Sequence, residues 1–124
     1  MSTPYYFYRT NGILMQMHME AIDLMEVNKN YVRFVNKNGY VDIRTTLENA
    51  LAQFPKNYFI QVHRSYAVAF NQIDKLGKDS LFILSRPELE IPVSRKYYKE
   101  LLKHIKIIGP DLQEPDQEDK KIES

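Results

Sequence analysis

The stretch YVRFVNKNGYVDIR, residues 31–44, decides the fold class of this chain. Apolar and polar residues alternate on both sides of the segment 36–39, and such alternation is typical of half-buried β-strands. The segment itself, NKNG, consists of residues that suit a tight turn between antiparallel strands. The stretch therefore predicts two antiparallel strands joined by a short turn, and it is the strongest hairpin signature in the sequence.

The residues before this hairpin predict three more strands. Residues 5–9 and 13–17 are β-prone runs on either side of Thr10-Asn11-Gly12, so they predict a first hairpin. The mostly apolar run 22–27 then leads into Asn28-Lys29-Asn30, whose residue types favour a turn.

The spacing of the apolar residues changes after the opening stretch. Residues 45–54 place apolar side chains on one helical face and predict a short helix that ends before Pro55. Thr45 and Glu48, three residues apart, predict a capping box at the start of this helix.

Several short β-prone runs follow the helix, and a second helix closes the pattern. The runs are residues 58–62, 66–70, 73–76, 81–84 and 89–93, with a turn predicted at Ser85-Arg86-Pro87. Pro92 predicts an edge position for the last strand, because proline has no backbone N–H to donate. Ser94 is a good N-cap for the closing amphipathic helix. The fold class is therefore predicted to be all-β, or β-rich, with small antiparallel sheets and one or two short helices.

Composition narrows the classes of protein to which the chain can belong. Hydrophobic residues make up 44% of the chain and charged residues 27%, as in an ordinary folded domain. We find neither an apolar run of the roughly 20 residues that span a membrane nor a secretion signal, so we expect a cytoplasmic protein without a membrane partner. The chain has no cysteine, which excludes disulfides and thiolate-bound zinc.

The charge is distributed unevenly along the chain. Residues 109–124 contain six acidic residues and two lysines, and they predict a disordered acidic tail after a single domain of residues 1–108. The formal net charge of +1 therefore hides a domain with 15 basic and 10 acidic residues, a net charge of +5. Such an excess favours a polyanionic partner, although many small domains share it.

The sequence lacks the residue combinations that an enzyme needs. The three histidines, His18, His63 and His104, are far apart, and neither glycine-rich phosphate-binding pattern is present. We therefore expect no catalysis, no metal site and no small-molecule substrate.

Three polar clusters carry groups that bond to nucleic acids. They are His63-Arg64-Ser65 between two strands, Ser94-Arg95-Lys96 at a helix start, and Asn28-Lys29-Asn30 with Arg33. Guanidinium, imidazole, ammonium and hydroxyl groups bond both phosphate oxygens and base edges. Solvated turns and a helix cap explain the same residues, so the clusters alone leave both interpretations open.

Together with the runs around them, these clusters resemble the LytTR family of DNA-binding domains. The matching patterns are IDLMEVNKNYVRF at residues 22–34, RTTL at 44–47, FIQVHRSYAV at 59–68 and IPVSRKY at 91–97. The resemblance covers residues 5–107, and the HRSY and PVSR pieces in this order are its most specific part. It implies an elongated arrangement of small antiparallel sheets whose loops enter successive major grooves of double-stranded DNA at direct repeats in promoters. It also implies that no cofactor is needed.

The resemblance assigns contact residues by position. It puts Asn30 and Tyr31 in one DNA-facing loop, with Arg33 close by in the same cluster. It puts Arg64 in a second loop and Arg95 in a third, and these two arginines are the predicted base readers. The residues predicted to hold phosphate are His63, Ser65 and Lys96. The chain departs from the family in having Val68-Ala69-Phe70 where members often have V-N-L, so any role of that asparagine is absent here.

Several questions stay open at this point. Many LytTR domains follow a phosphorylated receiver domain, and the residues before the match are too few to form one, so the chain is either free-standing or a fragment. The main alternative function is a protein-interaction module of the same fold that modulates another regulator. The sequence also leaves open whether two copies form a dimer or meet only on DNA.

Overall fold

The computed structural model describes residues 5–110, which form ten strands and two α-helices. The strands are β1 (Tyr6–Thr10), β2 (Ile13–Met17), β3 (Leu24–Asn28), β4 (Tyr31–Asn36), β5 (Gly39–Arg44), β6 (Phe59–His63), β7 (Tyr66–Ala69), β8 (Ile73–Leu76), β9 (Ser80–Ile83) and β10 (Arg86–Pro92). The helices are α1 (Leu47–Ala52) and α2 (Arg95–Leu102). None of the helices described is long and apolar enough to span a membrane.

The strands form three antiparallel sheets. The largest has the order β5-β4-β3-β7-β6, the second has the order β10-β9-β8, and β1 pairs only with β2. The predicted fold class, small antiparallel sheets with two short helices, is therefore confirmed. The hairpin of the opening stretch is β4 and β5, in register from Tyr31 opposite Arg44 to Asn36 opposite Gly39.

Local turn chemistry explains the β1–β2 and β4–β5 hairpins. Asn11 and Gly12 join β1 to β2 with φ angles of 50° and 79°, as a two-residue turn between twisted strands requires. In the β4–β5 turn the backbone N–H of Asn38 donates to the side-chain oxygen Oδ1 of Asn36 at 2.8 Å. Asparagine thus supplies part of its own turn, as its residue type predicts.

The five-stranded sheet is buried on both faces. Met25 in β3 is fully buried in one cluster with Phe34 and the α1 residue Leu47. Its neighbour Leu24, 2% exposed, lies in a second cluster with residues of β9, β10 and α2, among them the fully buried Leu101. Because successive strand residues point to opposite faces, β3 ties both clusters together. The first cluster also holds the base of the β1–β2 hairpin, through Tyr6 and Met17.

A polar row crosses four strands of this sheet, β7, β3, β4 and β5. Register places Tyr66 opposite Glu26, Glu26 opposite Arg33, and Arg33 opposite Asp42. Arg33 donates two hydrogen bonds to the Asp42 carboxylate, at 2.9 and 3.1 Å, and its guanidinium lies 3.8 Å from the centre of the Tyr40 ring. The hydroxyl of Tyr66 donates to Glu26 at 3.2 Å, and burial together with this carboxylate raises the pKa of Tyr66.

Three local predictions need correction or refinement. The N-cap of α1 is Thr46 and not Thr45, since the Thr46 hydroxyl accepts from the backbone N–H of Asn49 at 3.1 Å. The predicted turn at residues 85–87 is partly strand, because β10 begins at Arg86. Ser94 stands at the N-cap of α2, but its hydroxyl makes no capping hydrogen bond. Pro92 does lie in an edge strand, as predicted. From residue 111 onward, the predicted acidic tail is outside the part of the chain that the structure describes.

The two neighbouring leucines of α2 test how this helix is docked. Leu101 is fully buried whereas Leu102 is 36% exposed. We expect Leu101→Ala to lower the free energy of unfolding by about 2–5 kcal/mol, because it leaves a cavity among buried side chains. Leu102→Ala should cost clearly less. Urea denaturation followed by circular dichroism checks both variants, and equal losses would show that α2 does not bury the Leu101 face.

The pair of Arg33 and Asp42 predicts a pH-dependent part of the stability. The two hydrogen bonds from Arg33 hold the pKa of Asp42 below its usual range. A carboxyl with a lowered pKa stabilises the fold above its unfolded value, near 3.9, and this contribution is lost as pH falls through the folded value.

We therefore expect Asp42→Asn to be less stable than the parent protein at about pH 6, and the difference to be smaller at about pH 2, closer to the lowered pKa of the folded state. Urea midpoints measured at both pH values check this. Asp74→Asn, on the exposed part of β8, controls for the change in net charge. A difference that persisted unchanged at low pH would contradict the expectation.

Candidate nucleic-acid interface

Three chain segments meet at one end of the five-stranded sheet. The turn after β3, the turn between β6 and β7, and the residues after β5 all lie there, because β4 and β7 both run antiparallel to β3. The β4–β5 register places Arg44 directly opposite Tyr31, next to the first of these turns. Segments that are up to 36 residues apart in sequence therefore share one surface.

The turn after β3 consists of Lys29 and Asn30, both exposed. Lys29 has a φ of 59°, so within this turn the lysine, and neither asparagine, takes the left-handed conformation. Tyr31 opens β4 and is 40% exposed, and the guanidinium of Arg44 lies 5.9 Å from its ring centre. This corner thus presents an ammonium, an amide, a phenol ring and a guanidinium to solvent.

The turn between β6 and β7 is Arg64-Ser65, and it is fixed from two sides. The backbone N–H of Ser65 donates to Nδ1 of His63 at 3.1 Å, and the carbonyl of Ser65 accepts from the backbone N–H of Val27 in β3 at 2.9 Å. With Nδ1 as the acceptor, Nε2 is the ring nitrogen left to donate a hydrogen bond. The Arg64 side chain is exposed at the tip of this anchored turn.

The start of α2 is attached beside the same turn. The backbone N–H of Ser94 donates to the carbonyl of Val62 at 3.0 Å, one residue before His63. Arg95 and Lys96, the first two residues of α2, are both exposed. The Lys96 ammonium lies 5.3 Å from the ring centre of Tyr97. The free N–H groups of the first helical turn add positive potential at this place.

A concavity of about 770 Å³ lies between these segments. Its lining includes Lys29 and Asn30 from the first turn, Arg64 from the second, Tyr97 from α2, and the sequence from Arg44 to Glu48 that leads into α1. Three cations and a single carboxylate, that of Glu48, therefore line it. A concave surface with this balance attracts an anion.

The structure separates the predicted contact residues into three groups. Asn30 and Arg64 line the concavity itself. Beside it lie Tyr31, His63, Ser65, Arg95 and Lys96, which belong to the same turns and helix start. Arg33 differs from all of them, because its guanidinium is held by Asp42 within the polar row. Its geometry fits a role in shaping the sheet.

Sequence reasoning missed several lining residues. Lys29 was placed in a polar cluster without a contact of its own, and no contact was assigned to Arg44, Thr45, Thr46 or Tyr97. The RTTL and SRKY patterns contained four of these five residues, so the resemblance itself carried the signal. The sequence predicted the β4–β5 hairpin but not the pairing of β3 with β7, which brings the Arg64-Ser65 turn to the end of the sheet where Arg44 lies.

The comparisons with known proteins agree with this geometry. The family model described as the LytTr DNA-binding domain matches residues 13–106. Among solved structures, the fold is similar to the LytTr DNA-binding domain of a protein described as a methyl-accepting/DNA response regulator from Bacillus cereus. The TM-score is 0.68 at 19% sequence identity, over 82% of this chain and 96% of that one. No curated protein matches the chain. Since the family model spans most of the sequence and the surface described above gathers its patterns, the chain belongs to the LytTR family of DNA-binding domains.

Proposed function

We propose that this chain binds specific promoter DNA as part of a bacterial transcription regulator in the cytoplasm, with its turns in successive major grooves of direct-repeat sites. The observation that carries the proposal is the meeting of two turns, the start of α2 and the RTTL segment at one end of the sheet. The family is one of DNA-binding domains and not of enzymes. Among the described residues, no group of histidines and carboxylates could hold a metal ion.

Arg64 and Arg95 are the proposed base readers. Both side chains are exposed, and neither makes an ion pair within residues 5–110. An arginine at the tip of an anchored turn enters a groove without first breaking an internal contact, and it bonds guanine O6 and N7 through two parallel hydrogen bonds. The anchoring of the Arg64 turn to β3 limits the conformational entropy that such binding costs.

The remaining groups are proposed to hold the DNA backbone. Lys29, Arg44 and Lys96 place positive charge around the concavity, while His63 and Ser65 contribute hydrogen-bond donors beside Arg64. Contacts of this kind fix the position of the protein on the duplex but carry no sequence information. Arg33 is proposed to act indirectly, by keeping β4 and β5 in register behind Tyr31 and Arg44.

If Arg64 and Arg95 read bases directly, replacing either of them should weaken binding to specific DNA. We expect Arg64→Ala and Arg95→Ala each to weaken binding by about 1–3 kcal/mol, about 5- to 150-fold, on a duplex with two direct repeats. Binding to a scrambled duplex should change far less. Lys103→Ala removes the same unit charge at the other end of α2 and should leave specific binding almost unchanged.

Fluorescence anisotropy with both duplexes at fixed salt checks this expectation, with a one-repeat duplex to show whether two copies bind together. If the parent protein bound neither duplex even at low salt, the DNA-binding proposal would be wrong. The protein-interaction alternative would then become the leading hypothesis, and an apolar protein interface would show little dependence on salt.

The phosphate contacts predict a change in salt dependence. Each neutralised phosphate contributes about −0.9 to the slope of log K against log salt concentration on duplex DNA. We expect Lys29→Ala and Arg44→Ala each to make the slope about one unit shallower, on specific and scrambled DNA alike. Titrations across a salt series measure this, with Lys75→Ala of β8 as the charge-matched control. Slopes equal to that of the control would remove both residues from the interface.

A further inference from the structure

The β1–β2 hairpin exposes more apolar surface than its role in the fold explains. Of the eleven exposed large hydrophobic residues in the described chain, five belong to this hairpin or precede it directly: Tyr5, Phe7, Ile13, Leu14 and Met15. None of them lines the concavity assigned to DNA. Three of the five, Tyr5, Phe7 and Leu14, share one face of the hairpin, and exposed apolar surface of this kind on a small domain marks an interaction site.

The register of the hairpin assigns its residues to two faces. Tyr6 and Met17 face each other on the inner face and pack on the domain, with the Tyr6 ring 4.7 Å from that of Phe54. Phe7 opposite Gln16 and Arg9 opposite Leu14 make up the outer face, and alternation along the strand adds Tyr5 to it. Tyr5, Phe7 and Leu14 are 77%, 55% and 54% exposed. The outer face therefore carries two aromatic rings and a leucine in open solvent.

This surface lacks the usual protection against association. Natural proteins guard small open sheets with lysines, inward charges, prolines or bulges. Between residues 5 and 17 the hairpin has a single charged side chain, Arg9, and its strands pair without a bulge. Among the described strands β1 and β2 pair only with each other, so no other strand covers their free edges, and only the inner face packs on the domain.

We propose that the outer face of the β1–β2 hairpin is the surface through which two copies of this chain pair when free of DNA. Because the domain lies against the inner face, a partner must approach from outside. A two-fold axis midway between the two hairpins, parallel to their planes, places the two domains on opposite sides of the contact. The two hairpins then stack face to face at the usual spacing of about 10 Å between sheets. The proposal does not depend on the DNA-binding proposal.

A second copy fits this face in both shape and charge. Antiparallel stacking sets the tip of each hairpin, with Arg9 and Leu14, against the base of the other, with Tyr5 and Phe7. Each guanidinium then meets an aromatic ring, which attracts a cation, and the two Arg9 side chains stay apart. No carboxylate lies between residues 5 and 17, so no acidic residue of the hairpin competes with the aromatic rings for Arg9.

The area agrees with a weak but specific dimer. Tyr5, Phe7 and Leu14 are each more than half exposed, and Arg9 and Gln16 are exposed beside them. Given that a large aromatic side chain buries 150–250 Å², each copy contributes roughly 500 Å². A pair therefore buries about 1,000 Å², the lower limit for a biological interface. Copies on direct repeats are related by a step along the duplex and not by a two-fold axis, so the pairing describes the free protein.

Sedimentation velocity of the full chain without DNA, from low micromolar to near-millimolar concentration, tests the proposal. We expect a concentration-dependent dimer, and Leu14→Glu should raise its dissociation constant about tenfold or more by burying a charge at the contact. Leu84→Glu is the matched control, because Leu84 is 57% exposed but lies between β9 and β10. It should leave the dissociation constant unchanged.

A second variant avoids any effect of the glutamate on folding. The chain has no cysteine, so Gln16→Cys places a single thiol on the outer face and keeps every apolar group there. Under mild oxidation it should form a disulfide-linked dimer much faster than Leu84→Cys. A parent protein that stays monomeric at all concentrations, equal effects of the two glutamate variants, or equal crosslinking of the two cysteine variants would each overturn the proposal.

Discussion

The pairing of β3 with β4 on one side and with β7 on the other is the constraint on which the rest of the structure depends. Leu24 lies opposite Val35 and Val68 at once, so one strand holds both neighbours in register. The same pairing brings the turn after β3 and the Arg64-Ser65 turn to one end of the sheet, joined by the Val27–Ser65 hydrogen bond. Because the side-chain period of a strand is two, a slip of one residue would expose Met25 and separate these turns from their present partners.

Next to the turns that line the concavity, polar contacts connect neighbouring strands of the sheet. The row from Tyr66 to Asp42 crosses the sheet between the buried residues and the exposed turns. Its hydrogen bonds are partly solvated, so they contribute modest stability, yet their geometry fixes side-chain direction across four strands. The row therefore suits a boundary where the surface must stay polar while the register stays exact to one residue.

The sequence predicts the strands of this fold well because their signals are local. Alternation and turn residues predicted the β1–β2 and β4–β5 hairpins, and the edge position of Pro92 was also predicted. The errors were local. In α1, for example, two neighbouring threonines could both serve as the N-cap, and the structure uses Thr46 instead of the predicted Thr45. The candidate site was predicted less completely. Arg44 lies at the site only because β5 pairs with β4, and Arg33 is held away from the site by its hydrogen bond to Asp42. Such long-range contacts have no periodic signal in the chain.

The charge of the whole chain and that of the concavity act over different distances. A net charge of +1 gives little attraction to DNA beyond the screening length of about 8 Å at physiological salt. Within that length, Lys29, Arg44 and Arg64 outnumber the single carboxylate of Glu48. Long-range steering is therefore weak, and the proposed binding would depend on groups that reach the duplex only after the turns are correctly placed. Because weak steering also limits attraction to any other DNA, the ratio of specific to non-specific affinity then depends mainly on short-range contacts, which the anchored turns position.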